Sequence, residues 1–251
     1  MTNKDKYKFD DFTLENYKRL LYIALQKGFI FSDYDLDSGM DRKEIVWRHD
    51  VEFSLHRAYK MAVIEKELGI KAHYFFHLNN QYYNMMEKEV FLLVRKIVAL
   101  GHYCGLHFDA HFWGIRNEDH LTECLLRDKR ILEDYFLMEI RSFSFHNTNP
   151  NLLSLDALYY AGMLNVYSKA VRDKYRYCTD STGIWRYERL EDVLLDNSIQ
   201  YLQVLTHDGM WQDEALSPRQ RVLRCIEMRA MRRIEYYDTK LPLKGQLNID
   251  D

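Results

Sequence analysis

The sequence predicts an α/β chain folded as a single distorted (β/α) barrel, and three observations carry that expectation. Short apolar strands alternate with helical stretches along the chain, the signature of βα units feeding a parallel sheet. Glycine closes the helix ahead of a strand at Gly69, Gly101 and Gly162, where a left-handed residue ends a helix most easily. No glycine-rich phosphate fingerprint follows any strand. That argues against a nucleotide-binding Rossmann domain, and about seven strands in one domain favour a barrel over an open doubly wound sheet.

The elements follow in order. Thr13 caps a helix over 14–27, whose apolar residues Leu14, Tyr17, Leu20, Leu21, Ala24 and Leu25 recur at helical spacing. Phe29–Phe31 is a short extended segment, followed by a charged loop over 32–43. Ile45–Trp47 begins a strand that ends in Arg48-His49-Asp50-Val51-Glu52, and Ser54 caps the next helix, to about Leu68. Strands over 70–77, 102–107 and 141–145 are separated by helices over 85–100 and 119–136. A short helix over 152–161 precedes strands at 163–167 and 175–179. A helix over 190–197, a strand over 199–205 and an arginine-rich amphipathic helix over 219–237 complete the chain. The whole of 1–251 reads as one domain. Its core is about 45–211, with the helices 13–27 and 219–237 packed on it.

Bulk composition narrows the function. In 251 residues, 47% are hydrophobic, enough for a sizeable core, and the formal net charge of -3 gives no reason to expect nucleic acid as a partner. The four cysteines, Cys104, Cys124, Cys178 and Cys225, show no close pairing. This favours reduced thiols in a cytoplasm over a disulfide framework or a cysteine zinc site. The polar start at 1–11 lacks a signal-peptide core, and no window approaches a membrane span.

The polar residues that interrupt this pattern collect at strand ends, where barrel enzymes build their sites. Six of ten histidines lie there: His49, His77, His107, His111, His146 and His207. His107 and His111, four apart with Asp109 between them, sit at the end of a buried strand and have the spacing of a divalent-metal pair. Neutral imidazoles with a carboxylate suit zinc, with cobalt, nickel or manganese as alternatives. Such a centre activates water and polarises a carbonyl. A nearby carboxylate can take the water's proton, and a histidine can protonate the leaving group. That set hydrolyses amides or esters without a nucleophilic serine or cysteine. Asp109 reads as a loop-stabilising acceptor, and His49 and His77 as supporting or packing residues.

These residues resemble polysaccharide deacetylases of the NodB-homology type, in particular the shorter members encoded with surface-polysaccharide biosynthesis. The family's His-Ser/Thr-x-x-His metal motif is met by His107-Phe108-Asp109-Ala110-His111, with Phe108 at the Ser/Thr position. Its Leu-x-His motif is met by Leu205-Thr206-His207, which implies His207 as general acid. Its Thr-Phe-Asp-Asp-Gly strand is matched by Arg48-His49-Asp50-Val51-Glu52, in which the tandem acids are split by Val51. On a strand, Asp50 and Glu52 face the same way. The expectation is Asp50 as metal ligand with His107 and His111, and Glu52 as base, with the two acids' roles reversed as the alternative. The resemblance also implies a substrate region at His146, Asn147, Asp180, Trp185 and Arg186, over a match running from about Ile45 to Trp211. The expected activity is removal of acetyl from an N-acetylated, or O-acetylated, sugar by a carbon–nitrogen hydrolase. Another amidohydrolase on the same barrel, or a glycan-binding barrel without turnover, is the alternative.

Overall fold

A computed structural model describes residues 1–37, 39 and 42–240. The rest of the expected 32–43 loop, and the end of the expected domain beyond 240, lie outside the described residues. The elements run α1 (Asn3–Lys6), α2 (Leu14–Gln26), β1 (Phe29–Phe31), β2 (Lys43–Val51), α3 (Leu55–Glu67), β3 (His73–His77), α4 (Lys88–Ala99) and β4 (Tyr103–Phe108). Next come α5 (Ala110–Trp113), α6 (Glu118–Phe136), β5 (Ser142–Phe145), α7 (Pro150–Leu153), β6 (Tyr159–Tyr160) and β7 (Met163–Asn165). The chain then forms α8 (Lys169–Lys174), β8 (Arg176–Thr179), α9 (Leu190–Leu195), β9 (Tyr201–His207) and α10 (Pro218–Lys240).

One sheet of nine strands holds them in the order β6-β7-β5-β4-β3-β2-β9-β8, with β1 also paired to β2. Every described pairing is parallel except the β6–β7 hairpin. The sheet curls into a half-barrel. Arg48, on central β2, donates across the interior to the Tyr167 hydroxyl just past β7, at 2.7 Å. β6 and β8 stand at opposite ends of the strand order, so among the described residues the ring of hydrogen bonds stays open.

Residue parity sorts the two faces. Even-numbered residues of β2, among them Val46, Arg48 and Asp50, point into the barrel, and Trp47, His49 and Val51 point out to the helices. Outside, Trp47 meets Tyr17 of α2 edge-on. His49 Nε2 lies 2.6 Å from Glu65 of α3, whose carboxylate also accepts from the Tyr17 and Tyr74 hydroxyls. Inside, Val46, Phe75, Leu164, Val166, Val171 and Tyr175 fill the lower barrel. Phe75 of β3 lies against Gly105 of β4, where an added Cβ would come within 2.5 Å of the ring.

The helix expected over 152–161 is instead one turn, Asn149-capped with Pro150 at its start, followed by the β6–β7 hairpin. Ala161 and Gly162 both take positive φ, 53° and 70°. A two-residue hairpin turn of that kind needs such backbone, and it reverses the chain where the apolar spacing alone reads as helix.

Candidate functional site

The interior parity carries the chemistry to the C-terminal mouth of the barrel. Asp50 of β2, Glu52 just past it, His77 of β3, His107 of β4, His146 after β5 and His207 at the end of β9 share the inward set. The register aligns Asp50 with His207, and His77 with His107. Glu52 lies just past β2, on the turn into α3. Asp208 fixes that turn: its carboxylate accepts from the backbone N–H of Glu52 (2.7 Å), Phe53 (3.1 Å) and Ser54. Burial pushes Asp208 up to about 6 although these three donors pull it down.

Three donors converge at the mouth. Glu52 Oε1 lies 2.9 Å from His107 Nε2 and 2.8 Å from His146 Nδ1, and the two ring nitrogens are 3.1 Å apart. Among the described residues this is one of two groups of ligand atoms close enough for one cation; the other is His77, Asp109 and His146. A hydrogen-bond relay presents His107. Its Nδ1 lies 2.7 Å from Ser144 Oγ, which is 3.2 Å from Asp50 Oδ1. If Ser144 donates to the carboxylate, it accepts from Nδ1–H, and the His107 lone pair then falls on Nε2, facing Glu52. Burial opposes the charge on Glu52, but His207, His107 and His146 hold its carboxyl well below the usual range.

The donor set fits a divalent metal. Tetrahedral ligation at about 2.1 Å separates neighbouring donors by about 3.4 Å, so these three need to part by only a few tenths of an ångström. A carboxylate and two imidazoles are also what zinc and its first-row neighbours take.

The sequence expectation differs from this geometry at three positions. His111, expected as a ligand, is exposed on α5 and its Nε2 meets the Asn147 carbonyl at 3.0 Å. The strand stops at Phe108, Asp109 caps α5, and the four-residue spacing carries His111 out of the group. Asp50, expected as the carboxylate ligand, is held one layer deeper by Arg48 (3.2 Å) and Ser144. His146, expected near substrate, stands among the donors. Ser144 and Asp208 were not singled out by the sequence, because a buried serine and a cap acid carry no motif.

His207 faces the triad across a cavity of about 340 Å³, lined by Asp50, Glu52, His107, Asn147 and His207 among others. Asp180 is fully buried behind it. One oxygen sits 2.6 Å from His207 Nδ1, and the other accepts from the His207 and Trp211 N–H groups. Burial lowers the His207 pKa, but Asp180 and then Glu52 outweigh it and raise the ring to about 10. Asp180 therefore orients His207 and does not reach the cavity. Trp185 turns away too, stacking on Phe12 and donating to Asp11 at 3.0 Å. Arg186 is exposed over the Tyr187 ring and lines a groove with Tyr177 and Tyr187 that adjoins the cavity at Thr148, Tyr167 and Ser181.

No protein-family model matches the chain, and no curated protein matches it at a significant level. Solved structures similar to it include a peptidoglycan N-acetylglucosamine deacetylase, 16% identical with TM-score 0.46 over 83% of this chain and 89% of that one. IcaB from Ammonifex degensii is 17% identical with TM-score 0.43, over 63% of this chain and 79% of that one. A CE4 family pseudoenzyme from Bacillus anthracis is 16% identical with TM-score 0.42, over 78% of this chain and 63% of that one. The chain spans 63 to 65% of the length of three such pseudoenzyme structures. Solved structures that this chain resembles thus include CE4 family pseudoenzymes, a family 4 carbohydrate esterase from Bacillus anthracis and a peptidoglycan deacetylase.

Proposed function

We propose that the chain is a metal-dependent hydrolase that removes acetyl from an N-acetylated sugar, in the assembly of a surface polysaccharide, and that it works as one catalytic domain. The observation that supports this most is the facing of two preorganised sets across one cavity: Glu52 and His107, joined by His146 behind them, on one wall, and His207, held from behind by Asp180, on the other. In this reading Glu52, His107 and His146 hold the ion, and Asp50 takes the base role, the reverse of the first expectation for the two acids. A divalent ion there supplies Lewis acidity for an acetyl carbonyl and for the attacking water.

The chain's own groups do the rest. Asp50 lines the cavity and takes a proton from the attacking water; Arg48 and Ser144 fix its orientation. His207, held cationic by Asp180, donates from Nε2 to the departing nitrogen. The balance is amide plus water to acetic acid plus amine, with one proton passing from the water to Asp50 and one from His207 to the departing nitrogen. No described helix is long and apolar enough to cross a membrane. All four cysteines are free thiols, which fits a reducing cytoplasm as the place of action.

The test joins metal analysis to acetate release from a panel of N- and O-acetylated sugars. Near-stoichiometric zinc, cobalt, nickel or manganese is expected, together with acetate release that a chelator abolishes. Glu52→Gln and His146→Ala lose the metal, whereas His111→Ala keeps it. A wild-type protein that takes up no metal, or a metal lost with His111→Ala and kept with His146→Ala, overturns the reading. Ligand binding that persists in His207→Ala, with no turnover in the parent, favours a glycan-binding barrel instead.

A further inference from the structure

A second cavity, of about 310 Å³, shares Glu52, Phe53 and Asn147 with the catalytic one and extends to His77, Asn80 and Asp109. Its walls hold a donor and an acceptor that the hydrolytic reading does not use. His77 is 4% exposed and its Nε2 is a buried nitrogen without a hydrogen-bond partner. Asn80 decides which nitrogen carries the proton. The Asn80 Oδ1 accepts from the N–H groups of Tyr82 (2.6 Å) and Tyr83 (3.1 Å), so the amide cannot be flipped without losing both. Its Nδ2 then donates to His77 Nδ1 at 3.2 Å and to the Glu52 carbonyl at 2.8 Å. A donor facing Nδ1 requires the lone pair there, which puts the proton on Nε2.

That nitrogen lies 3.7 Å from Asp109 Oδ2, beyond hydrogen-bond reach. The other Asp109 oxygen is engaged, accepting from the His111 and Phe112 N–H groups at 3.0 Å each. The helix cap thereby fixes the carboxylate with Oδ2 toward His77. One oxygen atom at about 2.9 Å from each can bridge such a gap, accepting from the imidazole and donating to the carboxylate.

We propose that His77 and Asp109 form a hydroxyl-recognition subsite, which binds a sugar hydroxyl of the substrate beside the acetyl group being removed. This rests on the hydrolase reading above. The same side chains with His146 also lie close enough for a cation. A cation at His77 Nε2 needs the lone pair on that nitrogen, and hence Asn80 turned away from Nδ1. The observed amide orientation therefore favours the hydroxyl.

The test compares N-acetylglucosamine, N-acetylgalactosamine and N-acetylmannosamine with 4-nitrophenyl acetate, which carries no hydroxyl, in the zinc-loaded wild type, Asp109→Asn and His77→Phe. Asp109→Asn keeps the capping oxygen and replaces the acceptor by a donor. In both variants, kcat/KM for the best sugar is expected to fall at least tenfold more than for 4-nitrophenyl acetate, mainly through KM. Equal losses on sugar and ester overturn the proposal. So does a second equivalent of zinc in the wild type that His77→Phe abolishes, since the pair is then a cation site. If no probe is hydrolysed, the hydrolase reading fails and calorimetry with the same sugars decides the subsite. Sugar binding weakened at least tenfold by Asp109→Asn sustains it, and absent or unchanged binding overturns it.

Discussion

Replacing Ser144 by alanine tests the relay on which the candidate metal centre depends. Ser144 is fully buried on β5, 2.7 Å from His107 Nδ1 and 3.2 Å from Asp50 Oδ1. The substitution removes one oxygen and almost no volume, so packing changes little. What it removes is the group that holds the proton on Nδ1 and the lone pair on Nε2. Outer partners of ligating histidines are worth about 10–100-fold in metal affinity, or about 1.4–2.8 kcal/mol. The stranded Nδ1–H adds a stability cost of about 1–3 kcal/mol. At about 2–4 °C per kcal/mol for a chain of this size, a fall of several degrees in Tm is expected.

The assay is zinc competition against a chromophoric chelator, run beside thermal unfolding of the apo protein. Ser142→Ala is the control: Ser142 is buried on the same strand and pairs with Gly105, one inward position earlier. Ser144→Ala should weaken zinc at least tenfold while Ser142→Ala leaves it within twofold. A zinc affinity unchanged in Ser144→Ala, with Tm lowered, would mean that the serine only packs and that the relay does not set the histidine's proton. Equal weakening by both serine substitutions would refute the reasoning from the other side.

Asp180→Asn should move the alkaline limb of the activity profile to lower pH. Asp180 raises His207, whose cationic form must deliver the proton, so its loss brings deprotonation closer to the ordinary imidazole value. The same pair stabilises the fold fully below that ordinary value, and the contribution is lost as pH rises toward about 10, which urea titrations across that window would register. Asp208→Ala leaves three N–H groups at the β2–α3 turn without their carboxylate; a loss of at least about 2 kcal/mol is expected from denaturant midpoints, with kcat/KM falling as Glu52 loosens. Gly105→Ala drives a Cβ to within 2.5 Å of the Phe75 ring and should cost about 1–3 kcal/mol; an unchanged midpoint would show that the ring swings aside freely.

Much of this architecture is legible along the chain because the physics that sets it is local. The strand ends at Asp50, His107 and His207 announce themselves as polar breaks in apolar runs. Thr13 and Ser54 cap their helices through side-chain oxygens that accept from Asn16 and Arg57 N–H groups. The buried carboxylate Glu65 was not legible, because its partners Tyr17, His49 and Tyr74 come from three separate elements. The 152–161 segment misleads for the opposite reason: its apolar spacing suits a helix, and only the positive φ at Ala161 and Gly162 reveals the hairpin.

The clearest divergence lies in how His111 and His146 are read. On a helix, four-residue spacing brings two side chains to one face. Here the spacing straddles a boundary: His107 belongs to β4, and Asp109 starts a new helix by capping the N–H groups of His111 and Phe112. A strand-end residue instead finds its partners across the sheet, at the same level on neighbouring strands. β4 lies between β3 and β5, and the inward positions level with His107 are His77 on β3 and Ser144 on β5; Glu52, two strands away past β2, and His146, one inward position beyond Ser144, complete the group at the mouth. Inward parity at the strand ends therefore gathers Glu52, His77, His107 and His146, where spacing along one loop offers His111. Within that set Glu52, His107 and His146 converge at 2.8 to 3.1 Å, His111 lies outside it, and Arg48 and Ser144 hold Asp50 one layer below.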